Sequence, residues 1–322
     1  MTKHLIRNKL LAKERFPLVL MLEVTHLCNL NCEGCGRIRE YKESLNNMMT
    51  VDDCFAAAAE CDTPVVTVTG GEPLLHPDID KIIAGLIERK KHLYMCTNGI
   101  ILEQSLEKFK PKVNLNINVH LDGLSETHDA IVGQKGVFDI ATNAIKAAKQ
   151  KGFRVCTNTT VYKNTAIDEI KELFGFLESL GVDGMLVSPG FSFEDNKNDV
   201  FMNKEEIHEK FMPIFELSKQ FKIISSPLYL RFLKGERHLL CTPWGNPTRN
   251  FHGWKSPCYL LTDKHCKTFK ELMGTTDWDK FRYRKDDRCK NCMIHCGVEP
   301  TVVLESGKRL SDTIEMALWN LR

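Results

Sequence analysis

From Phe16 onward, short apolar runs alternate with amphipathic stretches. Residues 18–24, 65–69, 92–96, 115–121, 154–161 and 184–188 read as strands, and residues 50–61, 78–90, 136–151 and 166–180 repeat their apolar positions at helical spacing. Repeated strand-then-helix units imply a parallel sheet, and right-handed crossovers curl it into a partial (β/α)6 barrel, an α/β fold of the TIM-like kind. The chemistry of such a barrel is expected at the C-terminal ends of its strands. Residues 1–15 are basic, with Leu5, Ile6, Leu10 and Leu11 spread around the helical wheel, which suits a short lid over the barrel bottom better than a membrane-surface helix. After Gly190 the chain turns polar (192–203), then helical (204–222), then irregular. This divides it into a basic segment (1–15), a barrel (16–225) and a C-terminal extension (226–322).

The strand ends carry distinctive residues. The first strand leads into Cys28, Cys32 and Cys35, a C-x3-C-x2-C triplet. The second ends in Gly70-Gly71-Glu72-Pro73, the third in Tyr94-Met95-Cys96-Thr97-Asn98 and the fourth in His120-Leu121-Asp122-Gly123. Asn158 lies on the fifth, and Ser188-Pro189 ends the sixth. Taken singly, glycines, Asn and Ser-Pro at strand ends are ordinary turn chemistry, and Asp122 could simply cap the next helix.

With 322 residues the chain can bury a full core, and a formal net charge of +2 gives no nucleic-acid footprint. Its apolar runs fall short of a spanning helix and residues 1–15 lack a signal-peptide core, so a cytoplasmic location is expected. Thirteen cysteines are many for such a protein, where clustered Cys signals metal or catalysis. Eight fall into two groups, 28–35 and 241–296, whereas Cys54, Cys61, Cys96, Cys156 and Cys266 stand alone, where a small buried hydrophobe is the default.

Three thiolates on a four-iron cluster leave one iron open. The alternative for the triplet is a structural zinc loop with His26 as fourth ligand. The triplet and the GGEP segment together resemble the radical S-adenosylmethionine (radical SAM) family. That resemblance implies a 4Fe-4S cluster on Cys28, Cys32 and Cys35, with S-adenosylmethionine on its open iron. It also implies cosubstrate contacts from Gly70, Gly71, Glu72, Pro73, His120, Asp122, Asn158 and Ser188. Two departures stand out: His120 replaces the family's usual serine, and Gly34 lies where an aromatic residue is usual, leaving either extra room or a gap for another side chain.

The second group, Cys241, Cys258, Cys289, Cys292 and Cys296, resembles the twitch or SPASM extensions that hold auxiliary 4Fe-4S clusters. Five thiols exceed one cluster's need, so the choice among Cys289, Cys292 and Cys296 stays open. Four thiolates would suit zinc equally well.

Residues 16–23, 70–76, 119–123 and 241–249, with the Cys-rich close, resemble the adenosyl-hopene transferases of hopanoid lipid biosynthesis. That resemblance implies addition of a 5′-deoxyadenosyl radical to the terminal alkene of a polycyclic triterpene. It also implies Cys96 as hydrogen-atom donor, an electron donor such as ferredoxin or flavodoxin, and peripheral membrane contact for lipid access. The rival functions are a radical SAM peptide-modifying enzyme, against which stand the few residues before Cys28, and a non-catalytic zinc protein, against which stands the GGEP segment.

Overall fold

The structure, a computed structural model, describes residues 1–192 and 199–321; residues 193–198 of the polar stretch lie outside the described residues. One sheet of nine strands runs β6-β5-β4-β3-β2-β1-β7-β8-β9. The first six are β1 (Val19–Thr25), β2 (Val65–Gly70), β3 (His92–Thr97), β4 (Leu115–His120), β5 (Arg154–Val161) and β6 (Gly184–Pro189), all parallel, in an open sheet. Each ends within one residue of its apolar run, because alternate side chains settle one face. On β1, Leu20, Leu22 and Val24 pack outward on the helix Val51–Cys61, whose Thr50–Asp53 capping box fixes its start.

The opposite face lines the interior and is polar. Thr67 and Thr69, Tyr94 and Cys96, Asn116, Asn118 and His120, then Cys156 and Asn158 follow one another from β2 to β5. Register pairs Tyr94 with Asn116, Cys96 with Asn118, Asn118 with Cys156, and His120 with Asn158.

The stretch after residue 222 is more ordered than its sequence suggests. β7 (Thr248–Asn250) lies parallel to β1, with Met21 opposite Thr248, and β8 (Gly253–Pro257) and β9 (Thr262–Cys266) continue antiparallel. The segment 241–249 has a structural reason for its Trp and Gly. Trp244 is buried under the guanidinium groups of Arg15 and Arg282 and against Trp278, and Gly245 abuts Pro300, so the chain enters β7 at a fixed angle. At the barrel bottom the helix Thr2–Leu10 sets His4 against Phe16 and Pro17, and Arg7 on Asp62.

Candidate functional site

β1 ends at Thr25, and the next helix, Arg37–Glu40, is a single turn, so residues 26–36 form an open loop. Backbone bonds hold this loop on two sides: Gly71 N donates to Thr25 O and Glu72 N to Leu27 O, each 2.8 Å, and Glu33 N donates to Ile131 O at 2.8 Å. A Cβ on Gly71 would meet Leu27 O at 2.1 Å, so only glycine lets the two loops press together. Arg39 donates to the carbonyls of Cys32 and Cys35.

Cys28, Cys32 and Cys35 are free and partly exposed. Burial pushes the Cys28 thiol to about 11, with Glu72 and Cys35 adding, and pushes Cys32 higher still, helped by Cys35, Asp122 and Cys28. Thiols this costly to ionise side by side suit a cationic centre, whose charge drives deprotonation. His26 does not join them: its ring stacks on Tyr41 at 3.9 Å, with Nδ1 3.5 Å from Ser44 Oγ.

Glu72 is buried and binds the second and third strand ends together, accepting from Leu74 N at 3.0 Å and Asn98 N at 2.8 Å. Asn98 in turn reaches Asn29 Oδ1 at 2.7 Å and the Cys28 sulfur at 3.9 Å. Pro73 opens the short turn that follows. Asp122 is not a helix cap, since the next helix begins at Ser125 behind Leu124. It is fully buried, accepts from Thr160 N at 2.7 Å and pairs with His120 Nε2 at 2.7 Å. Burial alone would lower the His120 pKa, but Asp122 more than offsets it and draws it up. Ser188 is buried opposite Thr160 in the strand register.

The gap at Gly34 is filled from β5's far end. A Cβ at Gly34 would lie 2.2 Å from the Tyr162 hydroxyl, and one at Gly190 would lie 2.9 Å from its ring. Tyr162 occupies the room two glycines leave, beside a cavity of about 330 Å³ that Glu33, Ile131 and Thr165 also line. Sequence reading missed it because the two glycines stand 156 positions apart, as 190 − 34 shows.

The second thiol group assembles separately. Cys28 and Cys32 pack near Leu30, Val132 and Ile100, whereas Cys258, Cys289, Cys292 and Cys296 gather around Met21, Leu260, Phe281 and Ile294. Gly297 lacks the side chain that would strike Cys241 Sγ at 2.6 Å, so the helix His295–Glu305 starts against that sulfur. Burial, then Cys292, Cys258 and Cys289, hold the Cys241 thiol far above its usual range; burial, then Cys258, Cys292 and Cys241, do the same for Cys296. All five are thus neighbours, and the same argument from mutual repulsion fits a bound cationic group. Among the described residues neither thiol group has three side chains already at single-ion distances.

Between the two groups runs a buried ionic seam. Glu23, charged within an otherwise apolar strand, forms an ion pair with Arg37 Nε at 3.1 Å and accepts a hydrogen bond from Asn250 Nδ2 at 3.1 Å. Arg37 also pairs with Glu40 at 2.8 Å and lies 4.1 Å over the Tyr259 ring, while the fully buried Lys255 bonds Glu40 at 3.3 Å and Tyr259 O at 3.1 Å. Arg37 follows Cys35 by two positions and Tyr259 follows Cys258 by one, so the seam locks the two cysteine segments together. Arg37→Met strands Glu23 in the interior and is expected to cost about 3–5 kcal/mol. Anaerobic denaturant unfolding checks this; a midpoint unchanged from the wild type would mean the seam contributes nothing.

Cys96 stands on the interior wall with Asn118 Nδ2 at 3.7 Å from its sulfur. Burial chiefly, opposed by Asn118 and aided by Glu72, takes its thiol to about 11, so it is an S–H at neutral pH. The amide oxygens Asn118 Oδ1 and Asn158 Oδ1 are buried without a protein partner, which is how a wall awaiting a polar ligand looks.

The model of the radical SAM superfamily matches residues 22–177, and that of a domain of unknown function (DUF3463) matches 185–316. The chain is 27% identical over 246 residues to Fe-coproporphyrin III synthase of Methanosarcina barkeri (strain Fusaro / DSM 804), covering 69% of this chain and 60% of that protein. It is 29% identical over 202 residues to the antilisterial bacteriocin subtilosin biosynthesis protein AlbA of Bacillus subtilis (strain 168), covering 61% and 45% respectively. The chain thus spans three fifths or less of these two relatives. Streptococcus suis SuiB bound to S-adenosylmethionine shares the fold, with TM-score 0.67, 18% identity, and coverage of 90% of this chain and 70% of that one.

Proposed function

The chain belongs, through residues 22–177, to the radical SAM superfamily, and we propose that it adds a 5′-deoxyadenosyl radical to the terminal alkene of a hopene-type polycyclic substrate. A 4Fe-4S cluster with S-adenosylmethionine supplies that radical on one-electron reduction, the family's chemistry. Cys28, Cys32 and Cys35 hold the cluster in this reading. Gly70, Gly71, Glu72 and Pro73 shape the backbone beside it, and His120, Asp122, Asn158 and Ser188 line the cosubstrate cleft. Cys241 and Cys258, with two of Cys289, Cys292 and Cys296, hold an auxiliary cluster.

The observation that carries the reading is Cys96, a neutral thiol facing the interior from β3, the strand whose end reaches the cysteine loop through Asn98. After the carbon-carbon bond forms, the adduct carries a tertiary carbon radical. The Cys96 S–H bond breaks, its hydrogen atom forms the new C–H bond, and the sulfur is left as a thiyl. One electron and one proton, from a donor of the ferredoxin or flavodoxin class, restore the thiol.

The second reading, modification of a peptide, has two supports: the similarity to AlbA and the polar interior wall of Thr67, Thr69, Asn116 and Asn118. One experiment separates them. The reconstituted enzyme, S-adenosylmethionine and reductant are incubated with diploptene, and masses are searched for an adenosyl adduct. Cosubstrate cleavage without adduct at any alkene concentration would sink the alkene reading.

A variant with Cys28, Cys32 and Cys35 all replaced by alanine is expected to keep iron and sulfide at the C-terminal group, while the wild type carries about eight irons. If the triple variant holds only zinc after anaerobic reconstitution, the auxiliary cluster is wrong.

A further inference from the structure

The last helix, Leu310–Asn320, turns its apolar side outward. Leu310, Ile314, Leu318 and Leu321 are 77%, 50%, 60% and 83% exposed, and Ala317 is exposed between them. Their spacing of four, three, one and three positions puts all five on one face. The helix is nevertheless firmly seated by its other side. Asp312 takes a two-pronged ion pair from Arg237, Glu315 pairs with Arg231 at 3.0 Å, and Trp319 Nε1 donates to Ile223 O at 3.2 Å. The outward apolar face is therefore set by the fold and does not come from a frayed end.

Charge says what covers it. Asp312 is buried on Arg237 and the half-buried Glu315 is paired with Arg231, so the apolar stripe itself carries no acidic residue and is flanked by Ser311, Thr313 and Asn320. Arg309, exposed, stands immediately before the helix, where a cation opposes the helix dipole and gives the helix nothing, while Lys308 beside it pairs with Glu305 at 3.2 Å. An apolar face that itself carries no acidic side chain, with the exposed Arg309 at its start, complements an anionic lipid interface. Beside it lies a groove of about 200 Å³ of mixed lining, Phe215, Leu230, Leu318 and Trp319 with Lys219, Arg231 and Glu315. A second copy of the chain fits less well, because five side chains are far short of the roughly 20–30 residues that each partner of a stable interface contributes.

We propose that this helix docks the protein on an anionic membrane surface, with its axis in the plane of the interface and Leu310, Ile314, Leu318 and Leu321 inserted. No helix among the described residues is long and apolar enough to cross a membrane, so the contact is peripheral. The proposal stands on the helix alone and holds whatever the enzyme's substrate.

Full-length protein is mixed anaerobically with vesicles of phosphatidylcholine and phosphatidylglycerol in equal parts, or of phosphatidylcholine only, and sedimented. Wild type is expected to bind the anionic vesicles at least tenfold more tightly than the neutral ones, and less tightly at high salt. The double variant Ile314→Glu/Leu318→Glu is expected to lose at least tenfold, and Arg309→Glu severalfold, with cosubstrate cleavage in solution unchanged in both. Wild type that stays in the supernatant, or a double variant that still sediments, overturns the proposal. So does a wild-type dimer that the double variant dissociates while neither form binds vesicles. Cys28→Ala, tested alongside, should bind vesicles normally, which keeps this result separate from the assignment of the radical site.

Discussion

Cys28→Ala, Cys32→Ala and Cys35→Ala are each expected to abolish reductive cleavage of S-adenosylmethionine, lowering it more than about 100-fold. That exceeds the 10–100-fold that loss of a supporting, non-ligating group costs at a metal site. Each thiol is one of only three on a loop whose backbone is already pinned by Thr25, Leu27 and Ile131, so no neighbouring donor can swing in to replace it. His26, the nearest imidazole in sequence, is occupied by its stack on Tyr41. Cys54→Ala is the control: that cysteine is fully buried in the core between β1 and its covering helix and should leave cleavage intact. Assaying 5′-deoxyadenosine under dithionite decides the matter, and wild-type cleavage by any of the three variants would remove the loop from the chemistry.

Cys96→Ala should separate making the radical from quenching it. Its sulfur is no cluster ligand in this reading, so 5′-deoxyadenosine-type products should persist near the wild-type level while the saturated adenosyl adduct falls at least tenfold. A packing role predicts something else: a small cavity, a modest stability loss and unchanged product ratios. Cys96→Ser keeps the Asn118 contact and nearly the volume, yet its O–H is too strong to give up a hydrogen atom to an alkyl radical, so it should behave like alanine. Normal adduct yield from both variants under thiol-free reduction would leave Cys96 a wall residue only.

The barrel strands were legible as short apolar runs, and β2, β3 and β4 also alternate an apolar outer face with a polar inner one, a period of two that leaves little freedom of register. Thr50 with Asp53 and Asn203 with Glu206 likewise announce helix starts through capping boxes. β7 was not legible: Thr248-Arg249-Asn250 has no apolar run, and it becomes a strand only because β1 offers it an edge. The helix Ser125–Val132 was also missed, since its sequence, SETHDAIV, gives a weak stripe and its job is to hold the cysteine loop through Ile131. In the site, the triplet and GGEP could be read locally. Tyr162 could not, nor could Lys255, whose partner Glu40 lies 215 positions away. One clue was available and unused: Glu23 within the first apolar run demanded a buried cation.

The place of β1 between β2 and β7 also dictates an order of events during synthesis. The strand that leads into the cysteine loop emerges early, but its second edge is satisfied only by residues 248–250, more than 220 positions later. Until then β1 is an open edge, a template for pairing with other chains, and Glu23 lacks the Asn250 amide. Such a distant closure is slow to form. The nascent chain therefore carries β1 with one edge unpaired, and Glu23 without its Asn250 partner, until the C-terminal third has been made, and a chain stopped near residue 225 should aggregate, which sedimentation of the truncated protein checks.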